Sequence, residues 1–196
     1  MPNHCFNQVT IQSTQEDLDT IMEKLRGEET MFDFNNLVPM PELIRDLQYV
    51  HANQKVYYYS TEKWRAGLNG EKDPYLSFPD VEWLKKNGVD DFTIRRLEND
   101  HGTASWYDWS VENWGTKWNA YDVEYFTGPI ANATRLTDGR QLTYRLTTAW
   151  AEPRPIIKAF MEFLSRPGFS QDLEMRWRFE DECENFNGEI NRHDEV

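Results

Sequence analysis

The sequence predicts an α+β protein in which one antiparallel sheet carries two helices on one face. Each segment that alternates apolar and polar residues has a single apolar face, and two helical stripes lie between these segments. Once a helix-rich middle stretch is set aside, the order is strand, helix, strand, strand, helix, strand. This is the split βαβ order of a ferredoxin-like two-layer sandwich.

The 196 residues are expected to form a single domain. Its core would come from residues 1–40 and 111–182, with a mainly helical insertion at 42–110 and an acidic C-terminal tail at 183–196. The insertion is assigned because alternating strand patterns are absent there, whereas helical segments broken by Gly, Pro and Asn recur.

The chain opens with a strand followed by a helix. Residues 5–12 alternate in polarity, which indicates a strand with one buried face. Ser13 and Glu16 have the spacing of a capping box, so they predict the start of a helix whose apolar stripe covers 18–26. Gly27 is expected to end this helix.

Short helices are expected in the insertion at 42–52, 55–66, 79–87 and 90–99. The tyrosine run at 57–59, with Trp64, is interpreted as packing residues rather than as a cage for a cation.

The stretch WSVENWGTKW at 109–118 is interpreted as a sharp corner between a short helix and a strand. Ser110 is a plausible helix start and Gly115 suits the left-handed conformation that closes a helix. Large rings at such a corner usually bury to hold its geometry, although a ligand-stacking site is the alternative. The residues assigned to this structural motif are Trp109, Trp114, Gly115, Trp118 and Trp150.

Strand patterns resume after this corner. Residues 121–126 alternate, and Asp138-Gly139 is a hairpin signal leading into a strand at 141–150. A helix is predicted at 156–165, and the clearest alternation in the chain follows at 172–180.

The predicted outer sheet face is mostly polar, and so it lacks the row of aromatic residues on which RNA-binding sheets stack bases. The mixture suits a surface that the insertion covers or that a protein partner contacts. It contains Phe6, Gln8, Thr10, Thr143, Arg145, Thr147, Glu174, Arg176 and Arg178.

The net charge of the chain favours some classes of partner over others. With 34 acidic and 21 basic residues the formal net charge is −13, which disfavours direct binding to nucleic acid. A solvated acidic surface explains this charge, and the alternative is a negative patch that steers a host protein with a basic surface. The residues assigned to that patch are Asp90, Asp91, Asp181, Glu182 and Glu184.

No recognised catalytic motif is present, and the four histidines lack the spacing of metal ligands. We therefore expect no cofactor and no metal. The mean hydropathy of −0.80 and the absence of a basic, apolar leader favour a cytoplasmic protein without a membrane segment. The oligomeric state stays open.

Three segments carry a resemblance to a known family: MPNHCFNQVTI at 1–11, ENWGTKWNA at 112–120 and TTAWAEPRPII at 147–157. Together they resemble phage- and plasmid-borne proteins described as Api-like or YubB-like. The resemblance implies a ferredoxin-like domain and a mobile-element context, and it supplies no catalytic residues.

Two functions follow from the sequence. The first is a non-catalytic protein that binds and modulates, most simply inhibits, a host protein of defence or nucleic-acid handling through an acidic surface. The alternative is an enzyme or small-ligand-binding protein with an aromatic pocket between the insertion and the sheet.

Overall fold

The structure is a computed structural model, and it describes residues 3–45, 91–129 and 140–195. The chain divides into two compact units. Met1–Pro39 and Asn113–Val196 form what we call the sheet unit, and Met40–Glu112 forms the insertion unit.

The sheet unit begins with β1 and α1 and continues, after the insertion unit, with the remaining strands and one further helix. Its elements are β1 (His4–Ser13), α1 (Gln15–Leu25), a 3-10 turn (Phe34–Asn36), β2 (Tyr121–Pro129), β3 (Arg140–Ala149), α4 (Arg154–Leu164), β4 (Glu174–Asp181) and β5 (Asn187–Asn191). The described part of the insertion unit contains α2 (Asp91–His101) and most of α3 (Trp106–Trp114), whose last residues belong to the sheet unit.

The sheet has five strands in the order β2-β3-β1-β4-β5, and every neighbouring pair is antiparallel. The predicted α+β class with an antiparallel sheet is therefore confirmed. β5 is an addition to the predicted set: residues 187–191, which the sequence analysis assigns to an acidic tail, pair with β4. Ile190 anchors this short strand, because it is buried opposite Trp177.

One face of the sheet is buried beneath both helices of the unit. The rings of Phe160 in α4 and Trp177 in β4 lie 6.4 Å apart, and Phe32 lies 5.8 Å from Trp177. The two helices are neighbours, since Lys24 Nζ of α1 lies 6.0 Å from the ring centre of Phe163 in α4. Aromatic contacts of this edge-to-face kind add to the stabilisation from burial alone. The inward residues of the sheet include Cys5, Asn7, Val9, Ile11, Leu142, Tyr144, Leu146, Met175, Trp177 and Phe179.

The start of α1 is one residue later than a cap at Ser13 predicts. Thr14 is the N-cap, and its hydroxyl accepts a hydrogen bond from the Asp17 amide. Ser13 is the last, buried residue of β1, where its hydroxyl donates to the Asp17 carboxylate. The strand thus uses the residue that would otherwise cap the helix.

The predicted start of α3 at Ser110 is wrong, because the helix already begins at Trp106. The Ser105 hydroxyl accepts a hydrogen bond from the Asp108 amide at 3.3 Å, whereas Ser110 donates to the Tyr107 carbonyl inside the helix. A serine with helical neighbours on both sides gives the same local signal as a cap, so sequence alone misplaced this boundary.

Some predictions fall outside the described residues. These are the helices at 55–66 and 79–87, most of the one at 42–52, the aromatic residues at 57–59 and Trp64, and the hairpin signal at Asp138-Gly139. Within the described part of the insertion unit, Leu97 and Trp109 are buried.

Candidate functional site

The stretch at 109–118, which we call the tryptophan corner, contributes Trp114 to the buried part of the sheet unit. This ring is 4% exposed, and its indole N–H donates to the Val38 carbonyl at 2.8 Å. Phe34 meets it edge to face at 5.9 Å. A buried indole with a satisfied N–H is what a structural role requires.

The three residues Gly115, Thr116 and Asn119, which follow Trp114, contact three other segments of the sheet unit. Gly115 has φ +77, and a Cβ there would lie 2.8 Å from Pro155 Cδ. The Thr116 hydroxyl donates to the Ala149 carbonyl at 2.9 Å and accepts from the Ala149 amide at 3.1 Å. Asn119 accepts from the Phe34 amide at 3.0 Å. The motif therefore joins the end of β3, the start of α4 and the loop after α1.

The other rings of the motif are more exposed. Trp118 is half-buried and Trp150 is exposed, with Lys117 Nζ 4.7 Å from the first ring and 5.6 Å from the second. Trp150 has φ +78, an uncommon backbone conformation for a bulky residue, and its amide donates to the Asn3 carbonyl. A cation of the chain itself thus contacts both of these rings.

Of the acidic residues predicted to bind a partner, Asp181 is buried, whereas Glu182 and Glu184 are exposed. Asp90 lies outside the described residues, and Asp91 is the first residue of α2, with no side chain described. Asp181 is 2% exposed, so its place on an exposed patch is corrected. Its carboxylate accepts hydrogen bonds from Asn185 Nδ2 at 2.7 Å and from the Cys183 amide at 3.2 Å. It closes the turn between β4 and β5.

Glu182 and Glu184 remain exposed in that turn, which we call the acidic turn. The Glu182 carboxylate lies 3.9 Å from His4 Nε2, and His4 Nδ1 contacts the Tyr121 hydroxyl. Burial raises the pKa of Tyr121, and the carboxylates of Asp122 and Glu182 raise it further. The hydroxyl therefore stays protonated near neutral pH.

The outer face of the sheet carries a row of charges that runs across all five strands. Strand register places a carboxylate at each edge of this row, an arginine one strand further in, and a glutamine at the centre. In spatial order this charged row is Glu124, Arg145, Gln8, Arg178 and Glu189.

The neighbouring row on the same face is centred on an aromatic ring. Phe6 lies on the central strand β1, with Thr147 on one side and Glu180 on the other. Its side chain is 53% exposed, although it stands in the middle of the sheet rather than at its edge. An exposed ring on a central strand is available to a binding partner.

Arg178 and Arg145, the two arginines of the charged row, have different partners. Arg178 Nε donates to Glu189 at 2.6 Å, and Arg176 Nε lies 3.5 Å from the other oxygen of that carboxylate. The hydrogen bond from Arg178, helped by the charge of Arg176, lowers the pKa of Glu189. Within the described ranges Arg145 forms no ion pair, and its guanidinium lies 5.3 Å from the centre of the exposed Phe126 ring.

The two rows enclose an open depression of about 710 Å³. Gln8 and Phe6 lie at its centre, Arg145 and Arg178 line it from opposite sides, and Glu180 lies beside Phe6. Sequence reasoning identified Phe6, Gln8, Arg145 and Arg178 as outward residues but missed this grouping. The missing information was the register between strands distant in sequence, which local alternation does not contain.

Two further ionisable side chains, the Cys5 thiol and the Tyr144 hydroxyl, are buried in the sheet unit. Burial raises the pKa of the Cys5 thiol to about 11, which keeps it protonated and a poor nucleophile at neutral pH. Burial also raises the pKa of Tyr144. In the part of the chain that the structure describes, no three His, Cys, Asp or Glu side chains come together as a metal site would require.

No family model, curated protein or solved structure matches this chain. None of the helices in residues 3–45, 91–129 and 140–195 is long and apolar enough to cross a membrane.

Proposed function

We propose that this protein is a non-catalytic binding protein of a phage or plasmid, which modulates a host protein in the bacterial cytoplasm. The resemblance to the Api-like family supports the mobile-element context. The three segments that carry it also meet in space: the Trp150 amide bonds to Asn3, Thr116 to Ala149, and Gly115 packs on Pro155. Because the three segments contact one another, the residues that carry the resemblance belong to one structural feature, and this supports the resemblance.

The observation that carries the binding function is the depression around Phe6 on the outer face. Protein interfaces are enriched in aromatic residues and arginine, and their energetic centres are rings that insert into a partner. Phe6, Arg145 and Arg178 supply these residue types within one depression. The surrounding charges have both signs, which suits a specific protein partner better than a uniform polyanion.

The acidic turn extends this surface at one end of β4. Glu180 lines the depression, and Glu182 and Glu184 follow it in the chain as exposed carboxylates. We propose that they face the basic part of the host protein, where they steer its approach. Such exposed charges act on association rates and little on stability.

The ferredoxin-like assignment is also part of the proposal. It is supported by the order β2-β3-β1-β4 within the sheet and by the two helices on one face. The observed sheet differs from that arrangement by the additional edge strand β5.

The test is capture from a host lysate with two matched baits, followed by mass spectrometry. One bait is the natural protein, and the other carries Glu182→Lys and Glu184→Lys. We expect a host protein that is enriched on the first bait and depleted on the second, and whose own activity changes when the natural protein is added. Captured proteins that do not distinguish the baits and keep their activity would contradict the proposal.

A further inference from the structure

We propose that Phe6, in the depression on the outer sheet face, docks one arginine side chain of the partner protein, whose guanidinium stacks on the ring between the carboxylates of Glu180 and Asp122. This inference rests on the proposed function and names the chemistry by which its binding surface holds the partner.

Phe6 offers an exposed aromatic face that no cation of the chain covers. The ring stands on the central strand β1, is 53% exposed and lines the depression. Within residues 3–45, 91–129 and 140–195, lysine and arginine side chains lie over other rings but not over this one. The face of an aromatic ring attracts a cation, and arginine is the commoner partner in proteins.

The two arginines that line the depression make their contacts away from Phe6. Arg178 donates to Glu189 on β5 at 2.6 Å. The guanidinium of Arg145 lies 5.3 Å from the centre of the Phe126 ring on β2. Strand register places Phe126 on the far side of the charged row from Phe6. Neither guanidinium therefore occupies the space over the Phe6 ring.

Two exposed carboxylates lie on opposite sides of Phe6. Glu180 is its cross-strand neighbour on β4, and side chains in such pairs have Cβ atoms about 5 Å apart. Asp122 lines the depression from β2, on the other side. Among the described residues neither carboxylate forms an ion pair. Because the charged pair between β4 and β5 compensates itself, these two carboxylates outnumber the one remaining cation, Arg145, and the local charge complements a cationic ligand.

A guanidinium matches both parts of this site. Its planar group stacks on the ring of Phe6 while the N–H groups at its edge donate to Glu180, whereas the ammonium of lysine has no flat face. A nucleic-acid base also stacks on a ring, but its phosphates would be repelled by the two carboxylates. Glu182 and Glu184 of the acidic turn follow Glu180 in the chain, so further basic residues of the same partner segment would meet them.

The test titrates N-acetyl-arginine-amide and N-acetyl-citrulline-amide into the full chain at low salt, and follows the aromatic and backbone amide NMR signals. Citrulline has the shape of arginine without its charge. The arginine compound is expected to bind with a Kd on the order of 10 mM and to shift the signals of Phe6, Glu180 and Asp122. The citrulline compound should bind about tenfold more weakly, because it loses both the ring contact and the ion pairs of the cation.

Variants locate the site. Phe6→Leu and Glu180→Gln are each expected to weaken arginine binding by about threefold, the loss of one exposed contact. Asp122→Asn should have a similar effect, and asparagine tolerates the φ of +50 at that position. Glu174→Gln is the matched control, because Glu174 is exposed on the same face of β4, carries the same charge and does not line the depression. All four replaced side chains are exposed, and unchanged melting temperatures establish that the variants fold.

Equal affinity for the arginine and citrulline compounds, signal changes located away from Phe6, or an equal loss on Glu174→Gln and Glu180→Gln would each overturn the inference. Tighter binding of N-acetyl-lysine-amide or of a ten-nucleotide single-stranded RNA at the same signals would overturn it as well, as would a dimer of the natural protein that Phe6→Leu abolishes. Because no host protein is present, failure here leaves the lysate experiment on the acidic turn unaffected, and failure of that experiment leaves this one unaffected.

Discussion

Replacing Gly115 by alanine tests how the tryptophan corner is held. The residue has φ +77, where alanine costs about 1 to 2 kcal/mol relative to its preferred backbone conformations. The added Cβ would also lie 2.8 Å from Pro155 Cδ and 3.3 Å from the Arg154 amide nitrogen. A ring carbon bonded to the backbone does not rotate away, and overpacking of this kind costs about 1 to 3 kcal/mol. The expected total loss in the free energy of unfolding is about 2 to 5 kcal/mol.

Urea unfolding followed by far-UV circular dichroism measures this loss, and a double-mutant cycle separates its two parts. In a Pro155→Ala background the close contact is relieved, so Gly115→Ala should cost less there by about 1 kcal/mol or more. Gly128→Ala is the control, because a Cβ at that position meets no atom of the described residues within 4 Å and its φ is not positive. An identical cost of Gly115→Ala in both backgrounds would refute the role of the Pro155 contact.

Three further predictions concern buried side chains of the sheet unit. Trp114→Phe removes the donor to the Val38 carbonyl and should destabilise the protein by about 1 to 3 kcal/mol in urea unfolding; an unchanged midpoint would contradict a structural indole. Tyr144→Phe removes a buried hydroxyl without a partner among the described residues, so stability should stay equal or rise by up to about 1 kcal/mol, and a clear loss would reveal a bound water. Burial raises the pKa of Cys5 from 9.0 to about 11, so as pH rises the thiol loses its proton in the unfolded chain before it does so in the folded protein. The free energy of unfolding should therefore fall as pH rises from 9 to 11, and it should fall less steeply in Cys5→Ala.

Much of the sheet could be predicted because alternation is a local signal. The predicted strand at 172–180 corresponds to β4, Glu174–Asp181, in which every second residue is buried. β5 was missed because five residues with a single buried apolar side chain, Ile190, give no recognisable pattern. Its pairing with β4 depends on Trp177 and its neighbours, which only the folded sheet brings alongside.

The correction at Asp181 shows a signal that was present in the sequence. Leu173, Met175, Trp177 and Phe179 alternate inward, and Asp181 continues the same series, so its position predicted burial while its charge suggested exposure. The Asn185 and Cys183 donors that satisfy its carboxylate make burial possible. Position within the alternation was the better guide.

The depression on the outer face could be predicted only in part. Alternation identified Gln8, Arg145 and Arg178 as outward residues, but it gave no information on their mutual distances. Their alignment in one row depends on the registers of β1 with β3 and with β4, between residues more than 120 positions apart. Such registers are set by packing of the buried face across the whole sheet.

The central claim is that this surface binds a host protein whose basic region meets the acidic turn. The most direct measurement is the association rate of the captured host protein, purified, at low and high salt. It compares the natural protein, the Glu182→Lys and Glu184→Lys variant, and a control with Glu28→Lys and Glu29→Lys, two exposed carboxylates in the loop after α1.

Both variants change the net charge equally, so they differ only in where the charge lies. The account predicts a rate that falls with salt and falls further in the acidic-turn variant than in the control, because exposed charges steer association at the place of contact. Equal rates for the two variants, or a rate indifferent to salt, would contradict it.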